Sequence, residues 1–395
     1  MILEKFLRNS NDNFLDYAEI YLGGNTKTYS PQAAVCEIPY EYKANSIKRR
    51  VPIYGLDGIP WVLLKIEKGG IQKSYCYDKF PIHPLEKQHI VGHFSYNIIG
   101  DGTPLSNVRT LHIKKKLDDF PDAGFIKMSI PRRISRFQRT VHSFDVIHEI
   151  ACSAQLMKLK RPYLPSCCGG FLTSEDGIST GFVLRPNRLV NCNENYRFMP
   201  LFALYGEDIS RKKDTPLLTQ MIHSQKVYPL EFVLQNIVYP LVRLWIDSIM
   251  ECGLLLSLHG QNSLVCFDDK GKICDIGFRG THSFVIPKEK QIPELYLYKR
   301  CVIGEDLCRP FNEVASLLYD SFLGDHVFRY IQELLYRDFD VKPCVFAENV
   351  KEIFKKCGGL ELPMSKGVFY YPKDYYGDSS SKLRLEKITE TNVWR

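Results

Sequence analysis

The sequence predicts an α+β protein of several packed lobes, and three observations lead there. The chain has 395 residues, more than one ordinary hydrophobic core organises and enough for two or three. Hydrophobic residues make up 45% of it and charged residues 25%. That balance buries enough apolar surface to offset the entropy lost on ordering, which excludes disordered, collagen-like and low-complexity classes. Apolar residues recur at spacings of three and four in some stretches and alternate in others, so helices and strands both occur.

Taken in order, residues 1–70 read as a helical start, a turn at Gly23-Gly24-Asn25 and a β-rich stretch in which Val51 to Ile66 alternates around Gly55 and Gly58. A strand begins at Phe125. After Pro131 the chain is predicted to turn through Ser135, read as an N-cap, into a helix whose start carries Arg139. Residues 143–160 form an amphipathic helix that ends before Arg161-Pro162. The polar stretch at 206–216 marks a lobe boundary. A long apolar helix around 230–252 breaks at Gly253, and Leu254 to Leu258 reads as a buried strand. Ser263 to Phe267, the turn Asp268-Asp269-Lys270-Gly271 and Lys272 to Ile276 make a β-hairpin. Helices are expected again at 310–336 and 347–357.

Lys and Arg number 52 against 45 Asp and Glu, a net charge of +7. This suits a pocket for anions and falls short of the charge density of a nucleic-acid binder, so no nucleic-acid partner is expected. The 13 cysteines contain no C-x-x-C pair, which argues against a disulfide framework or structural zinc site and for thiols in a reducing cytoplasm. The N-terminal segment carries Glu4 within its first apolar stretch, unlike a signal peptide. The most apolar stretch, Phe232 to Leu258, is interrupted by Arg243, Asp247 and Glu251. It is expected to be a buried helix, with no membrane span.

The hairpin is the most informative local feature. It is expected to bring His259, Gln261, Asn262 and Asp275 to the ends of neighbouring strands, where an imidazole, two amides and a carboxylate can share a Mg2+-nucleotide or an anionic substrate. The alternative is that these groups only satisfy one another at a hairpin end. A kinase or aminoglycoside-phosphotransferase pattern needs an Asp two residues after the His. That position is Gln261, so a phosphotransferase lacks its catalytic base here.

Several motifs follow one another in a set order. His83-Pro84-Leu85-Glu86-Lys87 precede Gly92, and Lys127-Met128-Ser129-Ile130 is followed by Ile134-Ser135-Arg136 and Arg139-Thr140-Val141. Leu184-Arg185 comes next, then Arg197 to Ile209, then His259-Gly260-Gln261-Asn262 with Cys274-Asp275 after the turn, and finally Leu362-Pro363-Met364-Ser365-Lys366. In this order the motifs resemble the NRPS-independent siderophore (NIS) synthetases of the aerobactin-synthetase (IucA/IucC) type. The chain looks like a divergent member shortened upstream of His83.

The resemblance implies a hand-like fold of thumb, fingers and palm, with antiparallel sheets and flanking helices. It divides the chain into a reduced N-terminal lobe at 1–70, a central nucleotide-binding lobe at 71–210 and a C-terminal lobe at 211–395 that carries the hairpin. It implies an ATP- and Mg2+-using cytoplasmic ligase that adenylates a citrate-like carboxylic acid and condenses it with an amine or alcohol; whether it is a homodimer stays open. His83, Lys87, Ser135, Arg139 and Asn262 are then the expected nucleotide ligands, and Arg185 serves the α-phosphate or the acid. His259 and Gln261, with Arg185, are the expected catalytic residues, and Asp275 with Gln261 the expected metal ligands. Two departures matter: the family's Glu before the His is Ser257, and its Arg before the Asp is Cys274. They support a second reading, a degenerate relative that binds nucleotide or a partner without catalysis.

Overall fold

The computed structural model describes residues 2–8, 11–27, 36–43, 46, 50–68, 70–87, 89–90, 95–115, 117–173, 179–211, 214–280, 283–286, 301–377 and 381–395, so Gly92 of the first motif lies outside the described residues. The chain opens with helices α1 (Ile2–Arg8) and α2 (Asn11–Tyr21). Seven strands follow: β1 (Val51–Leu56), β2 (Trp61–Glu67), β3 (Gly70–Cys76), β4 (Phe80–Ile82), β5 (Tyr96–Pro104), β6 (Thr110–Ile113) and β7 (Phe125–Met128). Next come β8 (Ile130–Ile134), β9 (Phe137–Arg139), α3 (Ser143–Leu156), β10 (Tyr163–Leu164), β11 (Cys168–Thr173), β12 (Ser179–Arg185) and β13 (Arg197–Pro200). β1 to β7 with β11 and β12 form a nine-stranded sheet in the order β3-β2-β11-β12-β7-β6-β5-β1-β4. All its pairings are antiparallel.

β12 is buried from Thr180 to Arg185 because apolar layers close on both its faces. On one side Phe182 meets Trp61 and Phe80 edge-on at 5.6 and 5.2 Å between ring centroids. On the other, α3 lays Val146 and Ile150 over Val183. The helix approaches this closely because the strands beneath it are bare. A Cβ on Gly169 or Gly181 would stand 2.8 or 2.6 Å from a Val146 methyl carbon.

The entry to α3 corrects the sequence reading. Ser135 is no N-cap: it sits at φ +58° in the tight turn between β8 and β9, with Ile134 paired to Phe137. Arg139 therefore lies on a strand. Ser135 and Gln138 have the spacing of a capping box, but no helical apolar period follows them. The working cap is His142, whose backbone N–H donates to the Asp145 carboxylate at 2.9 Å.

Downstream, α4 (Phe202–Tyr205), α5 (Leu217–Gln225), α6 (Pro229–Val233) and α7 (Tyr239–Cys252) lead to β14 (Leu254–Leu256), β15 (Ser263–Phe267), β16 (Ile273–Arg279) and β17 (Ser283–Val285). A π-helical turn at Leu234–Val238 joins α6 to α7, giving the long apolar helix expected there. Gly253 ends it in the left-handed region at φ +66°. β15 and β16 form the expected hairpin and share a four-stranded sheet with β13 and β10. α8 (Phe311–Ser316), a π-helical run at Leu317–Phe328 and α9 (Arg329–Phe339) are continuous, α10 (Pro343–Lys356) follows, and β18 (Val368–Tyr370) pairs with β19 (Glu386–Thr389).

Segments on either side of residues 70 and 210 share sheets and cores. β3 begins at Gly70 and pairs along its length with β2. β13 pairs with β15. α1 and α2 sit in the same apolar core as the downstream helices, with Phe6 edge-on to both Phe14 and Phe267 at 4.7 Å. Among the described residues no helix is long and apolar enough to cross a membrane.

Candidate functional site

A cavity of about 220 Å3 opens where β7, β9, β12, α3 and the turn after β14 converge. Its charged walls are unbalanced: Arg109, Lys127, Arg139, Arg185 and Arg279 face Asp145 and Glu149. Phe137, Tyr371 and Tyr375 supply an aromatic side, with the two tyrosine rings stacked at 5.5 Å.

Strand alternation builds the cationic wall. Lys127 is the cross-strand partner of Val183, and Val183 packs against Val146 of α3; Arg185 lies two residues further on the same face. Glu149, one helical turn past Val146, therefore meets both cations. It ion-pairs with Lys127, accepts from Arg185 Nη2 at 2.7 Å and accepts from Ser166 Oγ at 2.7 Å. Burial alone would push the Glu149 carboxyl up, but Lys127, Arg185 and Ser166 hold it well below the usual carboxylate range. Burial also pushes Lys127 down to about 8, against the attraction of Glu149. Arg109 Nη1 donates to the Arg139 and Thr140 carbonyls at 3.2 and 3.3 Å, fixing β9 at the cavity rim.

The opposite wall is the His259-Gly260-Gln261-Asn262 turn. Asn262 and Ser263 N–H groups both donate to the His259 carbonyl, at 2.9 and 3.0 Å. A Cβ on Gly260 would strike the Tyr205 hydroxyl at 2.1 Å, so only glycine fits that position. His259 Nδ1 accepts from the Gln261 N–H at 3.3 Å, which leaves the ring proton on Nε2. Burial, with His326, Arg279 and Arg139 nearby, pushes the imidazole well below its usual range. His259 is thus a neutral hydrogen-bond donor near neutral pH. Gln261 Nε2 donates to Ser106 Oγ at 2.7 Å, and Asn262 Nδ2 to the Ser257 carbonyl at 3.0 Å.

Arg279, at the end of β16, completes this wall. Its Nε donates to the Gln261 carbonyl at 3.0 Å and its Nη1 ion-pairs with Glu19 at 2.5 Å. Its Nη2 is buried without a protein partner, as is Ser257 Oγ. Gly280 follows at φ +77°; a Cβ there would lie 3.4 Å from Asn262 Oδ1 and 3.8 Å from Arg185 Nη2.

Of the residues singled out in the sequence, Arg139, Arg185, His259, Gln261 and Asn262 line this cavity, whereas His83, Lys87, Ser135 and Asp275 do not. His83 is fully buried at the end of β4, its ring edge-on to Tyr42 at 5.5 Å and pushed down to about 3 by burial. Lys87 Nζ sits 4.7 and 4.8 Å over the Tyr54 and Tyr96 rings, on β1 and β5, beyond β6 from the cavity. Ser135 occupies the outer turn of the β8–β9 hairpin. Asp275 pairs with Cys266 towards the far end of its hairpin, about 13 Å along the strand from Arg279 at 3.3 Å per residue. Its carboxylate accepts from the Ile276 N–H at 2.8 Å and lies 3.9 Å from Arg161. Arg279 and Gly280 line the cavity, whereas Cys274 and Asp275 do not. Arg109, Lys127, Glu149 and Arg279 were not assigned roles from sequence; an acidic residue amid the buried face of a predicted helix is the signal Glu149 carries.

The Mg2+ site expected from Asp275 and Gln261 does not fit these residues. Asp275 is remote and the Gln261 side chain is tied to Ser106. Of the two carboxylates among the described residues of the cavity, Glu149 is committed to Lys127, Arg185 and Ser166, and Asp145 caps α3. Among the described residues no group of three or more His, Cys, Asp or Glu side chains is placed to hold a metal ion.

No protein-family model and no curated protein matches this sequence. Solved structures do match the fold. The petrobactin biosynthesis protein AsbB from Bacillus anthracis str. Sterne aligns over 98% of this chain and 79% of its own, at 14% identity and a TM-score of 0.63. ATP-bound aerobactin synthetase IucA from a hypervirulent pathotype of Klebsiella pneumoniae aligns over 99% of this chain and 80% of its own, at 11% identity and a TM-score of 0.66. Aerobactin synthetase IucC from the same source covers 91% of this chain and 73% of its own, at 12% identity and a TM-score of 0.59. The chain accordingly has the α+β fold of the NIS siderophore synthetases, as its ordered motifs imply.

Proposed function

We propose that the protein is an ATP-dependent ligase that activates a carboxylic acid as its acyl-adenylate and condenses it with an amine or alcohol, as in siderophore biosynthesis. The observation that carries this reading is the convergence of Arg139, Arg185, His259, Gln261 and Asn262, far apart in sequence, on one cationic cavity in a siderophore-synthetase fold. A carboxylate acylates poorly because its leaving group is oxide. In the proposed reaction a carboxylate oxygen attacks the α-phosphorus of ATP and the bond to pyrophosphate breaks. The amine or alcohol then attacks the acyl carbon, the bond to AMP breaks, and the nucleophile gives up its proton. Arg139 and Arg185 counter the phosphate charge. His259, neutral and protonated at Nε2, donates to an oxygen that gains negative charge, while Gln261 and Asn262 orient the acid. The setting proposed is the cytoplasm.

Incubation with ATP, a panel of carboxylic acids including citrate, and hydroxylamine tests this. Hydroxamate formed together with pyrophosphate is expected. ADP in place of pyrophosphate would indicate a phosphotransferase. A second reading, a non-catalytic nucleotide-binding relative, is favoured by Ser257 standing where the motif calls for Glu; ATP binding with no hydroxamate from any acid would select it.

A further inference from the structure

The cavity's donor set disagrees with the metal chemistry that its motif implies. Ser257 stands where the motif carries a carboxylate, and Asp275, the motif's other carboxylate, lies outside the cavity. Glu149 has both oxygens committed to neighbours. Asp145 has one oxygen on the His142 N–H, and its charge acts on Arg109. Against these stand five cationic side chains, and Arg279 Nη2 is buried without a partner. A divalent cation here would be repelled by neighbouring guanidinium groups and would find few oxygen ligands among the described residues, whereas Mg2+ sites are built from one or two accessible carboxylates together with phosphate oxygens.

We propose that this cavity binds the polyphosphate of its nucleotide without a protein-held divalent metal, with the Arg139, Arg185 and Arg279 guanidinium groups supplying the counter-charge. The proposal rests on the reading of the cavity as a nucleotide site. Its physical consequence is a sign. Mg2+ reduces the charge of ATP, so a site with a net positive wall gains nothing from it, whereas a metal-holding site needs it.

The test is calorimetric titration of the full chain with ATP in 5 mM Mg2+ and in EDTA, at about 0.15 M salt in both. The expected result is a Kd in EDTA equal to that in Mg2+ or up to about tenfold tighter. In parallel, Mn2+ in the presence of protein and ATP should give only the electron paramagnetic resonance signal of Mn-ATP. A Kd at least tenfold weaker in EDTA overturns the proposal, and loss of that dependence in Asp145→Asn would identify the ligand that had been underrated. That outcome leaves the ligase reading intact. No ATP binding under either condition overturns both. Metal-independent binding without hydroxamate formation supports the proposal and overturns the ligase reading alone.

Discussion

Glu19 of α2 and Arg279 of β16 meet in a buried ion pair, Oε1 to Nη1 at 2.5 Å. The other Glu19 oxygen accepts from Ser106 Oγ at 2.6 Å, Ser106 accepts from Gln261, and the Gln261 carbonyl accepts from Arg279 Nε. The result is a closed ring of four residues. It locks the guanidinium plane, and Nη2 is left buried without a protein partner. Removing one partner of a buried pair leaves the other charge uncompensated, so Glu19→Ala should cost about 3–5 kcal/mol in denaturant unfolding. Glu19→Gln keeps hydrogen-bonding capacity and should fold, and with one negative charge removed from beside Arg279 should bind ATP more tightly, by up to roughly tenfold, on the order of 1.4 kcal/mol. Wild-type ATP affinity in a folded Glu19→Gln protein would separate the N-terminal helix from the site.

Lys127 gives the cavity a pH response. Glu149 from α3 attracts it, Arg185 from β12 and Arg109 beside β6 repel it, and burial brings it down to about 8. Below that pH it is charged and favours an anion. Above it, anion binding must first return a proton, so ATP affinity should fall by up to about tenfold per pH unit. Isothermal titration from pH 7.5 to 9.5, where the charge of ATP is constant, measures this. Lys127→Arg remains charged over the whole range and should flatten the profile. An equally steep fall in that variant would assign the titration to another group.

What was legible in the sequence was local. The His259 turn, its hairpin and the glycine stop at Gly253 are fixed by neighbours within a few residues, and ordered motifs carried the fold. Ser135 misled because a Ser shortly after Pro131 imitates an N-cap, whereas it forms the turn between the paired strands β8 and β9. Asp275 misled because a motif gives no position along a strand: four residues separate it from Arg279, enough to carry it from one end of the hairpin to the other. Glu149 and Glu19 were illegible for a different reason. Their partners are supplied by β7, β12 and β16, and only the tertiary fold brings these to them.

His83 should matter for acid stability and not for the ligand. Its folded pKa is pushed down to about 3, whereas an unfolded histidine titrates near 6.5. The unfolded chain therefore binds a proton first. The stability this residue contributes is fully present above about pH 6.5 and is lost as pH falls towards 3, by roughly 1.4 kcal/mol per pH unit. His83→Phe should show a shallower decline of unfolding free energy between pH 6.5 and 4, with unchanged ATP affinity at pH 7.5. Weaker ATP binding in that folded variant would return His83 to the nucleotide site.

Supplying carboxylates to the cavity wall is the strictest check on the absence of a protein-held metal. Gly280 lies at φ +77°, a region Asp tolerates better than most side chains, and its Cβ would make only ordinary contacts, the nearest at 3.4 Å to Asn262 Oδ1. Ser257 is buried with an unpartnered hydroxyl, so a longer polar side chain there displaces no hydrogen bond. Ser257→Glu/Gly280→Asp adds two negative charges beside Arg185 and Arg279. In EDTA these should repel the phosphates and weaken ATP binding at least tenfold. With Mg2+ the same two carboxylates gain a cation to share with the phosphates, and affinity should return. The variant would then show the metal dependence that the natural chain is expected to lack. If thermal unfolding shows it folded and its ATP affinity still ignores Mg2+, these two positions do not mark the place of a metal, and the cationic wall alone cannot account for how the site treats its anion.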